Sequence, residues 1–166
     1  MRKRNTDSST RYEIIKSDSQ SFFSFTTENG TAYYADFQDQ SQLLVKHQGL
    51  FGFYEFSFEH VDNQLDSRTK FDEKIRNTIE DLLFKFFENP DKVLYYVCDS
   101  SDNRQLARQR LFKRWFNEQE PLPVNQLEID LSDELKVVIL IHQSFPFQQQ
   151  FEEALFESEI FYSAQK

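Results

Sequence analysis

Residues 92–116 read Lys-Val-Leu-Tyr-Tyr-Val-Cys-Asp-Ser-Ser-Asp-Asn-Arg-Gln-Leu-Ala-Arg-Gln-Arg-Leu-Phe-Lys-Arg-Trp-Phe, and this stretch decides the fold class. Val93 to Val97 is an unbroken apolar, β-favouring run, the pattern of a strand buried on both faces. Asp99-Ser100-Ser101-Asp102 then supplies turn and N-cap chemistry, so a helix is expected at once. A strand, turn and helix in that order place polar side chains and free helix N–H groups at the carboxyl end of a central strand. In α/β folds that is a common ligand position.

Upstream, Tyr12 to Lys16 and Phe22 to Thr27 read as strand, and Glu28-Asn29-Gly30-Thr31 as a tight hairpin turn, because Asn-Gly supplies positive φ readily. Ala32 to Phe37 returns as the next strand, Leu43 to Val45 is expected to add a short one, and Phe51 to Val61 is a third clear strand. Thr69 is the expected cap of a helix in which Phe71, Ile75, Ile79, Leu82, Leu83, Phe86 and Phe87 recur at helical spacing, with Asn89-Pro90 as its stop. Downstream, Val124 to Leu131 alternates as a half-buried strand with Leu127, Ile129 and Leu131 on one face. Val137 to Ile141 reads as fully buried. Ser144 and Pro146 open a last helix whose apolar face carries Phe147, Phe151, Leu155 and Phe161.

The resulting order, β-β-β-α-β-α-β-β-α, implies an α/β (α+β) fold around one mixed, mainly antiparallel sheet. Val93–Val97 and Val137–Ile141 are expected to be adjacent buried strands. Residues 1–10, polar and charged, are expected to form a disordered tail, and residues 11–166 a single domain.

Composition narrows the function classes. The chain has 166 residues, with 19 Phe, 3 Gly and 1 Cys. Phe at that level is core material, and the glycine scarcity leaves neither GxGxxG nor GxxxxGK[ST]. One cysteine forms no intrachain disulfide, and no Cys/His spacing fits a zinc site, so no metal is expected. No apolar run is long enough to span a bilayer, and no h-region follows Met1-Arg2-Lys3-Arg4. A cytoplasmic protein without a membrane partner follows. The formal charge is −9, which disfavours nucleic acid despite the basic side chains between Arg104 and Arg114 that flank Trp115. The acidity is concentrated in residues 117–166, where Lys136 and Lys166 face 10 acidic side chains. Its simplest reading is solubility.

Candidate chemistry gathers at the end of the central strand. Cys98 beside Asp99, Ser100 and Ser101 would need a base to act as a nucleophile, although cysteine is more often a small core residue. His60 is the better-placed base, because a strand parallel to the central one ends at the same edge. An antiparallel last strand would put His142 about 20 Å away at strand rise. On a helical wheel Arg104 and Arg108 fall with Leu111 and Trp115, the inward stripe. They are expected to pair with a carboxylate such as Asp99, Glu59 or Asp62, or else to form a fork for a small anionic ligand together with Ser100 and Ser101.

The element order over residues 12–143 resembles the core of the acyl-CoA-dependent N-acyltransferase superfamily, and Asp102-Asn103-Arg104-Gln105-Leu106-Ala107 is similar to the Asn-x-x-Ala opening of that superfamily's second crossover helix. That resemblance implies acetyl-CoA as cofactor and a catalytic edge built from His60, Cys98, Asp99 and Arg104. The superfamily's glycine-bearing pyrophosphate turn has no counterpart in Asp62-Asn63-Gln64-Leu65-Asp66-Ser67-Arg68-Thr69, whose two carboxylates would repel a pyrophosphate. Tyr95-Tyr96-Val97-Cys98-Asp99-Ser100-Ser101-Asp102 and Arg110-Leu111-Phe112-Lys113-Arg114-Trp115-Phe116 resemble an uncharacterised bacterial family of domains of unknown function, which implies no activity. The leading expectation is therefore a non-enzymatic binding or regulatory domain without a cofactor, its partner a protein or small anion. A divergent N-acyltransferase is the alternative.

Overall fold

The computed structural model describes residues 10–18, 21–61, 73–99, 122–132 and 135–158. Among these residues seven strands form one mixed sheet: β1 (Ile15–Lys16), β2 (Phe22–Thr26), β3 (Ala32–Asp39), β4 (Gly52–Val61), β5 (Lys92–Asp99), β6 (Val124–Asp130) and β7 (Leu135–His142), in the order β1-β2-β3-β4-β5-β7-β6. Two helices are described, α1 (Glu73–Phe86) and α2 (Gln148–Phe156). The sheet is antiparallel at β1–β2, β2–β3, β5–β7 and β6–β7 and parallel at β4–β5. This is the mixed α+β class that the apolar patterning implies. The helix expected after Asp99 lies outside the described residues.

The chain divides into two compact units, residues 1–37 with 57–83 and residues 38–56 with 84–166. In the first, the Asn-Gly turn forms as expected. Gly30 sits at φ 84°, its N–H donates to Thr27 O at 2.9 Å, and Thr27 N–H reaches Thr31 O at 3.0 Å. The Thr27 hydroxyl also donates to Asn29 Oδ1. Phe25 stacks on Tyr33 at 5.2 Å, and Tyr33 on Phe58 at 5.4 Å. Residues 12–14 do not extend β1. Tyr12 turns to α1 instead, its N–H donating to Thr78 Oγ1 at 2.9 Å and its ring stacking on Phe25 at 5.6 Å.

The second unit is built on the pair that the sequence marks as central. Val93–Val97 lies antiparallel beside Val137–Ile141, with Val93 opposite Ile141 and Val97 opposite Val137. Val93, Leu94, Val138 and Ile139 are sealed. Val97 departs from the pattern: it is 41 % exposed. One face of these strands packs Phe51, Phe53, Val93, Tyr95, Ile139 and Ile141 with Phe145, Phe151, Ala154 and Leu155. Phe151, Ala154 and Leu155 are the buried stripe of α2, spaced as a helix requires.

Three local expectations need correction. Leu43–Val45 is no strand; Ser41–Leu43 is a 3-10 turn. The Asp39 carboxylate accepts from Ser41 N–H at 2.9 Å and Ser41 Oγ at 2.6 Å, which winds the chain before Leu44 enters the core. The last helix starts at Gln148 rather than at Ser144, because Ser144 N–H is held by His142 Nδ1 at 3.0 Å. Leu127, expected on a buried face of its strand, is 41 % exposed because β6 closes the order of the sheet as an edge strand.

Candidate functional site

The parallel β4–β5 ladder pairs Gly52 with Lys92, Phe53 with Val93, Tyr54 with Leu94 and Glu55 with Tyr95, its last pair among the described residues. Side chains alternate along each strand, so Phe53, Glu55, Val93, Tyr95 and Val97 share one face, and Leu94, Tyr96 and Cys98 the other.

On the first face a partly buried carboxylate, Glu55, meets two neutral donors. Tyr95 Oη donates to Glu55 Oε2 at 3.2 Å, and Gln40 Nε2 lies 3.5 Å from the same oxygen. Gln40 is positioned by the turn after β3: its N–H donates to Phe53 O at 2.7 Å, and Phe53 N–H donates to Ser41 Oγ at 3.1 Å. The Tyr95 ring is fixed by stacking on Phe53 at 4.7 Å. Burial first, then the neighbouring Glu55 charge and hydrogen bond, hold the Tyr95 phenol far above the usual range. Tyr95 therefore stays a proton donor to Glu55. Among the described residues no cation forms a salt bridge with Glu55.

The opposite face holds Cys98, 2 % exposed and reduced. Its cross-strand partner is Lys136, whose Nζ is held by Glu128 Oε2 at 3.2 Å and Asp130 Oδ1 at 3.3 Å. Those bonds raise the Lys136 pKa and commit its charge to carboxylates. Tyr96 is buried beside them, and desolvation, followed by Cys98 and Glu128, raises its phenol far above the usual range. Cys98 is thus packed as a core residue.

His60 is exposed near the end of β4, its ring tilted against Tyr33 at 5.6 Å. It belongs to the first compact unit and Cys98 to the second. His142 lies past Ile141, which pairs with Val93, while Cys98 pairs with Lys136, so the register bears out its separation from Cys98. Asp99 is the last residue of β5, paired with Leu135. Ser100, Ser101, Arg104 and Arg108 lie outside the described residues, as do Asp62, one of the carboxylates expected to pair with the two arginines, and the rest of residues 62–69. Sequence reasoning passed over Glu55, Tyr95 and Gln40. One signal was present: Glu55 interrupts the aromatic face of Phe51 and Phe53 with a charge.

Among the described residues no helix is long and apolar enough to cross a membrane, and no group of three or more His, Cys, Asp or Glu is placed to hold a metal ion. No curated protein and no solved structure matches the chain. A family model matches residues 71–156, which is just over half of the sequence and includes α1, β5, β6, β7 and α2. The chain belongs to that family, described as a family of unknown function (DUF6169).

Proposed function

We propose that the protein is a non-enzymatic binding domain of the bacterial cytoplasm, and that it binds at the end of the β4–β5 ladder through Glu55. The observation that carries this reading is the setting of that carboxylate, partly buried and held by neutral donors from Tyr95 and Gln40. A fold gains little from such a group, because among the described residues no opposite charge offsets its burial. Polar groups kept against stability mark sites. The sealed position of Cys98 favours binding over thiol chemistry. The lone thiol, which suits a reducing environment, supports the compartment, and the resemblance of residues 95–102 and 110–116 supports the bacterial source.

Glu55→Gln tests the reading, since glutamine keeps the size and an acceptor oxygen for Tyr95. Its unfolding free energy in urea is expected to lie within about 0.5 kcal/mol of wild type, or above it. A loss of about 1 kcal/mol or more would make Glu55 a structural residue and remove the reading.

A second reading, an acyl-CoA-dependent N-acyltransferase, draws on the strand order with its parallel β4–β5 pair. Asp62 and Asp66 in the glycine-free sequence 62–69 weigh against it. Calorimetry at physiological salt is expected to show no micromolar binding of acetyl-CoA. Micromolar affinity would put the catalytic reading first.

A further inference from the structure

The ligand class follows from the same carboxylate, and the inference rests on the binding reading of Glu55. We propose that Glu55 takes a primary alkylammonium group, either a free amine or the lysine side chain of a peptide. The charge on the site is negative, and its protein donors are neutral. Both of those donors go to Oε2, and among the described residues no hydrogen bond reaches Oε1, the oxygen that would meet a ligand. A guanidinium binds best through two parallel bonds to both carboxylate oxygens, whereas an ammonium acts as a point charge and needs one. A divalent cation such as calcium or magnesium asks for roughly six oxygen ligands, and one carboxylate with a phenol and an amide falls well short.

The neighbour on the same face supplies the rest of the specificity. Val97 follows Tyr95 by two residues, about 7 Å along the strand, and it is 41 % exposed where the β4–β5 ladder has ended. An ammonium on Glu55 would lay its methylene stem toward that apolar side chain.

Calorimetry of the full chain with n-butylammonium, Nα-acetyl-lysine amide, n-butylguanidinium and Nα-acetyl-arginine amide tests this. Both ammonium compounds are expected to bind, the tighter naming the source, and both guanidinium compounds to bind at least about five-fold more weakly. Glu55→Gln should weaken the ammonium compounds at least about ten-fold, and Val97→Asn should weaken n-butylammonium about three-fold. Guanidinium binding as tight as ammonium binding, ammonium binding indifferent to Glu55→Gln, or no binding by any of the four would overturn the ligand class. The binding reading is judged separately by the stability of ligand-free Glu55→Gln. If that variant keeps its stability while the ligands fail, the class alone is wrong; if it loses stability, both fall.

Discussion

Replacing Phe53 by alanine is expected to lower the unfolding free energy by about 3–5 kcal/mol, the range for removing a large aromatic side chain from a sealed position. Phe53 is 0 % exposed. Its ring stacks on Tyr95 at 4.7 Å and lies 6.0 Å from Phe151 on α2, so one side chain joins β4, β5 and the helix. Truncation leaves a cavity that three secondary-structure elements would have to collapse to fill, and rigid strands close such gaps only in part. Urea unfolding of wild type and variant measures the change. A loss below about 1 kcal/mol would show that Phe53 is not the centre of this core. The variant should also free Tyr95 to leave Glu55, which ties the core to the proposed binding face.

The second large effect is expected at Arg11. Residues 10–12 strap one stripe of α1, meeting Asn77, Thr78 and Asp81, which recur at helical spacing. Asn77 Nδ2 donates to Thr10 O at 3.1 Å, and the Arg11 guanidinium meets Asp81 at 2.6 Å. Thr78 Oγ1 accepts from Tyr12 N–H and donates to Lys74 O at 2.7 Å, while Lys74 Nζ lies 4.7 Å over the Tyr12 ring. The Arg11 and Asp81 side chains are 24 % and 12 % exposed, so water screens the pair only partly. Arg11→Ala is expected to cost about 1–3 kcal/mol, with Arg11→Lys recovering part of the loss. Equal stability of alanine and wild type would reduce the strap to a surface contact.

How much of this was legible in the sequence depends on how local each determinant is. The adjacency of Val93–Val97 and Val137–Ile141 could be read directly, because a run with no polar alternation has to be covered on both faces. The Asn29-Gly30 turn and the apolar stripe of α1 were equally plain, each being fixed by residues within a few positions. Leu43–Val45 misled because a single side chain, Asp39, outcompetes strand pairing there. Val97 looked sealed because apolarity reports what can be buried, while its exposure depends on where the β4–β5 ladder ends. The Glu55–Tyr95 contact joins residues 40 positions apart through a parallel register, and periodicity carries no information about register between distant strands.

The binding claim is tested most directly by mapping where an ammonium lands. In amide-resolved nuclear magnetic resonance spectra of the full chain titrated with n-butylammonium, the largest shifts are expected at Gln40, Glu55, Tyr95 and Val97, and they should vanish in Glu55→Gln. Largest shifts elsewhere in the chain, or shifts at these four residues that persist in the variant, would contradict the account.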